Sequence, residues 1–384
     1  MPKTFNEISW VLIGGIFAMP GIEIIGVSFS YLPCFFALPL ILLGNHYLPK
    51  VVLLLFTLGT FSLSSEILFP TSPNYLGSRY RSVTNQINTK FANSVMTENF
   101  VLWLKFSTAL LGGVALVFFA YIRFARRELV NGFLLGSSIS VIVSFFTLEP
   151  GEGAFFQSVG LGRTSTTFGM ICTFAISLLY HHEINSRIRG LLILLFLSGS
   201  LVSGSRGAAL TSAVILFFAL IWQNQVGRFV WFSWFSLVLA IGFFELGQSL
   251  LGDIELRAFT QNQSTKASSF IRDQLRNQAL LDWQHDPVGG VGFSVLTQGH
   301  NTYLQTLAAG GLILFFGYVF IDLRNIYLSV RIQRIKGNGY ILGLVLSIIF
   351  NHMTQNQIDV PYLYLVLGII LFESKIQIEK MKIS

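Results

Sequence analysis

Residues 101–122 read VLWLKFSTALLGGVALVFFAYI, an apolar run with one charge, Lys105. At about 1.5 Å per residue, a helix of this length spans roughly 33 Å, about the thickness of a bilayer's hydrocarbon core. Apolar runs of about 15 to 22 residues recur through the 384-residue chain, separated by short polar breaks. The composition agrees: 53% of residues are hydrophobic and 11% charged, and 37 are Phe. A soluble domain carries about 25% charged residues, and the mean hydropathy here is +0.65. No stretch is left over for a soluble domain, which excludes a soluble enzyme with a membrane tail. The alternating strands of about ten residues that build an outer-membrane barrel are missing. The expected fold is all-α, a polytopic membrane protein of the inner-membrane type in contact with the lipid bilayer.

Working outward from 101–122, the runs mark twelve spans: 8–19, 29–44, 51–68, 101–122, 132–147, 165–180, 190–204, 208–222, 229–251, 301–321, 340–357 and 360–373. We expect one domain, 1–384, without internal repeats or linkers. With the N-terminus in the cytoplasm, 15 of the 25 basic residues fall at cytoplasmic ends, among them Arg123, Arg126, Arg127, Arg187, Arg189, Arg331 and Arg334. The positive-inside rule then places both termini in the cytoplasm. The same rule accounts for the net charge of +7 without nucleic acid. The first span is expected to remain as its own signal. Cys34 and Cys172 lie within apolar runs and read as buried thiols packing like small hydrophobes.

The other ten basic residues lie on the outer face or at its boundary: Arg79, Arg81, Lys90, Lys105, Arg163, Arg206, Arg257, Lys266, Arg272 and Arg276. Two outer loops are long, about 69–100 and 252–300. In the second, Ser268–Asp286 places Ile271, Leu275 and Ala279 on one stripe, with Leu281 and Trp283 near the end, predicting an amphipathic helix at the membrane surface. Arg272 and Arg276, four apart, share a face of it. Pro287 ends it, Gly289-Gly290-Val291-Gly292 follows, and His300-Asn301 opens the next span.

No nucleotide-binding P-loop, zinc-protease, CxxC or nucleophile-elbow motif occurs, so no cofactor or metal is expected. His181-His182-Glu183 reads as a solvated cytoplasmic turn. Asp253 and Glu255 have the acid-x-acid spacing that can hold a divalent cation, a pattern of low specificity. Arg206 interrupts two apolar runs in Ser203-Gly204-Ser205-Arg206-Gly207. An arginine at bilayer depth costs about 2.5–3.5 kcal/mol on insertion scales, so it faces a partner or a watery cavity unless it snorkels to the boundary. His300 follows a glycine-rich turn, starts a helix and has an arginine pair upstream; a hydrogen-bonded structural histidine is the plainer alternative. Arg163 has a similar glycine-rich setting. Several arginines on one outer face fit a phosphate or diphosphate, whose oxygens match the guanidinium fork.

These residues resemble the signature region of the O-antigen ligase/polymerase family. The resemblance is carried by Arg272, by Asp286-Pro287-Val288-Gly289-Gly290-Val291-Gly292, by His300-Asn301-Thr302-Tyr303-Leu304 and by Gly310-Gly311. The Ser-Gly-Ser-Arg-Gly turn at 203–207 and the Gly-Arg segment at Arg163 add to it. The second glycine extends the family's usual turn by one residue. The resemblance implies a glycosyltransferase of the GT-C type in the bacterial inner membrane, with its active site facing the periplasm. It would take a glycan from undecaprenyl diphosphate without a metal and with inversion. The acceptor would be lipid A–core, in a ligase, or another repeat unit, in a polymerase of polysaccharide biosynthesis; protein O-glycosylation is a third acceptor class. On the same basis Arg206 and Arg272 would hold the diphosphate, with Arg163 and Arg276 near it, and His300 would be the general base. Asn301 and Tyr303 would support the site, and Asp359 would orient His300, bind acceptor or cap a helix. The rival reading is a transporter or flippase for an anionic, lipid-linked glycan. A transporter holds its charged residues near the midplane, whereas here the unexplained arginines all lie on one face.

Overall fold

The computed structural model describes residues 3–24, 27–43, 48–68, 95–147, 149–151, 155–162, 164–181, 184–222, 263–293, 301–336, 340–354 and 358–383. Their architecture is helical. In order come α1 (Lys3–Phe17), α2 (Tyr31–Leu43), α3 (Lys50–Leu68) and α4 (Val95–Ser107), the last continued by a π-helical stretch, Thr108–Gly112, into α5 (Gly113–Ile122). Then follow α6 (Arg126–Phe146), α7 (Ser165–His181), α8 (Ser186–Val202), α9 (Arg206–Trp222), α10 (Gln263–His285), α11 (Thr302–Lys336), α12 (Tyr340–Thr354) and α13 (Pro361–Ile383). Two short antiparallel hairpins, β1–β2 (Glu23–Ile24, Val27–Ser28) and β3–β4 (Glu149–Gly151, Phe155–Gln157), join α1 to α2 and α6 to α7. Helices occupy every expected span except 229–251, which lies outside the described residues. Among those described, four are long and apolar enough to cross a membrane: Asn99–Ile122, Arg126–Phe146, Thr302–Arg334 and Pro361–Glu379.

Inside a bilayer, lipid is as apolar as leucine, so helices associate through close packing more than through exclusion of water. The α1–α6 contact illustrates this. Gly14 faces the Leu129 carbonyl, and the Gly132-x-x-x-Gly136 pair faces the backbone of Val11 and Gly15. A Cβ at any of these would meet backbone at under 3.0 Å, so the two helices approach as only glycine allows. α13 is apolar on all sides from Tyr362 to Phe372 and buried throughout, which makes it the central helix. It contacts α5 along Gly113 and Gly368, and it also meets α11 and α12. At its other end Glu373 is 1% exposed. It accepts from Tyr121 and Tyr340 (2.6 Å) and pairs with Arg126 at 2.5 Å.

Two expectations change in the folded chain. The tenth span, 301–321, is not one straight helix. α11 breaks at Gly310 (φ −129°) and Gly311 (φ 59°, ψ −160°), giving a short helix over 302–309 and a long one over 312–336. A straight helix would separate positions 303 and 322 by about 28 Å, yet the Tyr303 hydroxyl is 2.6 Å from Asp322 Oδ2. The short helix therefore folds back beside the long one. α10 also differs. Its buried face is Gln278, Ala279 and the wholly buried Asp282, while Leu281 is 52% exposed. It packs against α11, and on its buried face Gln278 donates to Asp282 Oδ1 (3.0 Å), so its inward stripe is less apolar than the spacing alone predicts.

Candidate functional site

The fold-back is held by the glycine turn that follows α10. Asp286 begins that turn as an Asx-type cap, its Oδ1 accepting from the backbone N–H of Val288 (3.2 Å) and Gly289 (3.0 Å). The turn then pairs with the break in α11. Val291 N–H donates to Ala308 O (2.8 Å), Gly292 N–H to Ala309 O (3.1 Å), and Leu312 N–H to Pro287 O (2.9 Å). Ser62 of α3 donates to Ala309 O at 2.8 Å. These bonds satisfy backbone groups that the break removes from the helical ladder, a necessity within a membrane. The fit needs glycine on both sides. A Cβ on Gly311 would collide with the Val288 carbonyl, and one on Gly290 would stand 2.5 Å from Ala309 O. Both have positive φ. Two glycine motifs separated in sequence are thus one structural unit, and Phe293 anchors its edge, fully buried with its ring 5.6 Å from that of Phe106.

The other end of the short helix is capped by Asn301. Its Oδ1 accepts from Leu304 N–H (3.1 Å), the bond expected of an N-cap residue, and its Nδ2 donates to Met353 O (3.2 Å) at the end of α12. The start of α9 reaches the same place: a Cβ on Gly207 would lie 2.9 Å from Thr354. The backbone at Arg206–Gly207, the Asn301 cap and Met353–Thr354 therefore meet. Ser203 and Ser205 shape the turn into α9, the Ser205 hydroxyl accepting from Ala208 N–H (3.3 Å) as that helix's cap. Tyr303, in the first turn of the short helix, donates to Asp322 (2.6 Å), and His352 Nδ1 lies 3.0 Å from the same oxygen.

Of the residues singled out by sequence, Asn301, Tyr303 and the backbone of Arg206 are brought to this junction. His300 and Arg163 lie outside the described residues, as do Asp253 and Glu255, and of Arg206 the side chain does too. Arg272 and Arg276 are half-buried on α10, and Arg276 pairs with Asp273 at 3.3 Å on an exposed face. Asp359 sits in the turn between α12 and α13, where its backbone carbonyl accepts from Tyr31 at the start of α2. Asp322, His352 and Ser62 were not singled out by sequence. Ionisable residues inside apolar helices were the available signal for the first two; Ser62 gives none. Among the described residues, no cluster of three or more His, Cys, Asp or Glu is placed to hold a metal ion.

No family model matches the chain, and no curated protein sequence matches it.

Proposed function

We propose that the chain is an inner-membrane glycosyltransferase that moves a glycan from undecaprenyl diphosphate to a sugar hydroxyl at the outer face. The observation that carries this reading is the meeting of four separate motif elements around one short helix. The turn at 286–292 clasps Gly310–Gly311 at one end, and Asn301 caps the other end beside the turn at 203–207.

Twelve spans with both termini in the cytoplasm suit this arrangement. α8 has 17 residues. That is about 26 Å of helix, short of the roughly 30 Å hydrocarbon core. With its cytoplasmic end at the inner surface, its outer end stops below the outer surface, and the turn at 203–207 that follows it lies in the floor of a periplasmic vestibule. Arg206 and Asn301 belong to that floor. An arginine there is reached by a lipid-linked diphosphate from the outer side alone.

The chemistry follows from the residue types. Arg206 and Arg272, with Arg163 and Arg276 contributing charge, hold the diphosphate and stabilise the negative charge that grows on it as it leaves. His300 takes the acceptor hydroxyl's proton while that oxygen attacks the anomeric carbon from the face opposite the diphosphate. The carbon–oxygen bond to phosphate breaks, its electron pair leaves with the diphosphate, and the anomeric configuration inverts. Lipid A–core and a second repeat unit both present such a hydroxyl.

The test is transfer by the purified protein in nanodiscs, given undecaprenyl-diphosphate-linked glycan, an acceptor glycan and EDTA, with no ion gradient. Appearance of an inverted glycosidic product supports the reading. Donor crossing proteoliposome membranes with no product formed replaces it with the transporter.

A further inference from the structure

Asp322 and His352 lie in apolar helices, 6% and 3% exposed, and the motifs assign neither. An ionisable pair inside a bundle carries a desolvation cost, so its retention calls for a specific role. The geometry is directional. Tyr303 brings its own proton to Asp322 Oδ2 at 2.6 Å, and His352 Nδ1 approaches the same oxygen at 3.0 Å. A carboxylate offers only lone pairs, so the network assigns the imidazole proton to Nδ1. The rings of Tyr303 and Tyr318 stand edge-on to the imidazole, with centroids 5.6 and 5.8 Å away. Nε2 has no hydrogen-bond partner among the described residues. The adjacent cavity, bounded by Asp322, His352, Tyr318, Tyr364 and Leu55, measures about 10 Å³ and admits one water at most. A substrate sugar does not fit there.

The three side chains come from three stretches of backbone: the short helix over 302–309, the long helix over 312–336, and α12. The glycine clamp fixes only the C-terminal end of the short helix. Its N-terminal turn is held by the bond from Asn301 to Met353 O and, from the side of the long helix, by Asp322 through Tyr303.

We propose that Asp322 and His352 are positioning residues. Through Tyr303 they clasp the N-terminal turn of the re-entrant helix, and so set where Asn301, the residue next to His300 in sequence, enters the site. The consequence for catalysis rests on the reading of His300 as the base; the clasp itself does not.

The full-length protein in nanodiscs is examined in two ways, by amide exchange of the 302–309 segment and by transfer kinetics. For Asp322→Asn, exchange over 302–309 should speed at least about tenfold, the scale of one lost hydrogen bond to a charged group, while 312–336 and 340–354 stay as in the wild type. The transfer kcat should fall about a hundredfold, the scale of an ångström-sized misplacement, with the donor KM nearly unchanged. Tyr303→Phe, which removes one hydroxyl, should show the same pattern more weakly and serves if Asp322→Asn does not fold.

A third variant joins Asp322→Leu, His352→Leu and Tyr303→Phe. It should remain stably folded, since an apolar set can replace a buried pair without loss, yet it should lose the same kcat. Retention of wild-type kcat by this variant would show that the pair merely fills space, and would overturn the proposal. Unchanged exchange over 302–309 would overturn it too, as would loosening that extends equally through 312–354. A wild-type protein that forms no product counts against the glycosyltransferase reading alone, because exchange still decides the clasp.

Discussion

Replacing Gly311 with alanine should be the most damaging single-methyl change in the described chain. At φ 59° and ψ −160° the residue lies in a region that is essentially glycine's alone, where other residues cost about 1–3 kcal/mol. A Cβ there would also sit inside contact distance of the Val288 carbonyl and 2.8 Å from Pro287 O, both backbone atoms that cannot turn aside. Relief requires the turn at 286–292 to part from the break. That would break the Val291–Ala308, Gly292–Ala309 and Leu312–Pro287 hydrogen bonds, each worth about 0.5–1.5 kcal/mol net. Together the strain and the lost bonds amount to about 3–7 kcal/mol.

The assay is thermal unfolding in detergent, followed by a thiol-reactive dye on the wholly buried Cys34 and Cys172. Gly343→Ala is the control, since a Cβ there meets nothing within 4 Å and alanine favours helix. Gly343→Ala should match or slightly exceed the wild type, and Gly311→Ala should melt far below both. Equal melting of the two variants would refute the clamp.

Four further outcomes are expected. Glu373→Ala leaves Arg126 without its buried carboxylate. Because Arg126 stays one-third exposed, the loss should fall at or below the lower end of the 3–5 kcal/mol seen for broken buried pairs; a melting point within a degree of the wild type would disprove it. His300→Ala should keep donor affinity while transfer falls roughly 10²–10⁴-fold. Arg206→Ala and Arg272→Ala should weaken donor binding as well, with lysine restoring only part; donor titration and single-turnover transfer on folded protein separate these cases. Reporter fusions at 123–131, 181–189 and 334–339 should read cytoplasmic and one near 262 periplasmic; a cytoplasmic reading at 262 removes the proposed catalytic face.

Much of this molecule is local in origin and therefore legible in its sequence. An apolar run must satisfy its own backbone within the membrane, which makes it a helix whatever its neighbours. Pro287 stops α10 because it cannot extend a helix, and Asn185 and Asn301 precede helices whose first N–H groups their side chains accept. The route of the chain at residue 310 has no such local cause. Gly112–Gly113 and Gly310–Gly311 are both glycine pairs inside apolar runs. The first keeps helical angles, φ −68° and −62°, and lies close against the backbone of Cys34 and Pro361. The second breaks and turns the chain back. The difference lies in what each pair meets. The turn at 286–292 and Ser62 offer donors and acceptors that replace the lost helical bonds at Gly310–Gly311. Such partners come from other parts of the chain, so tertiary structure alone decided that 302–309 turns back beside Asp322 and His352.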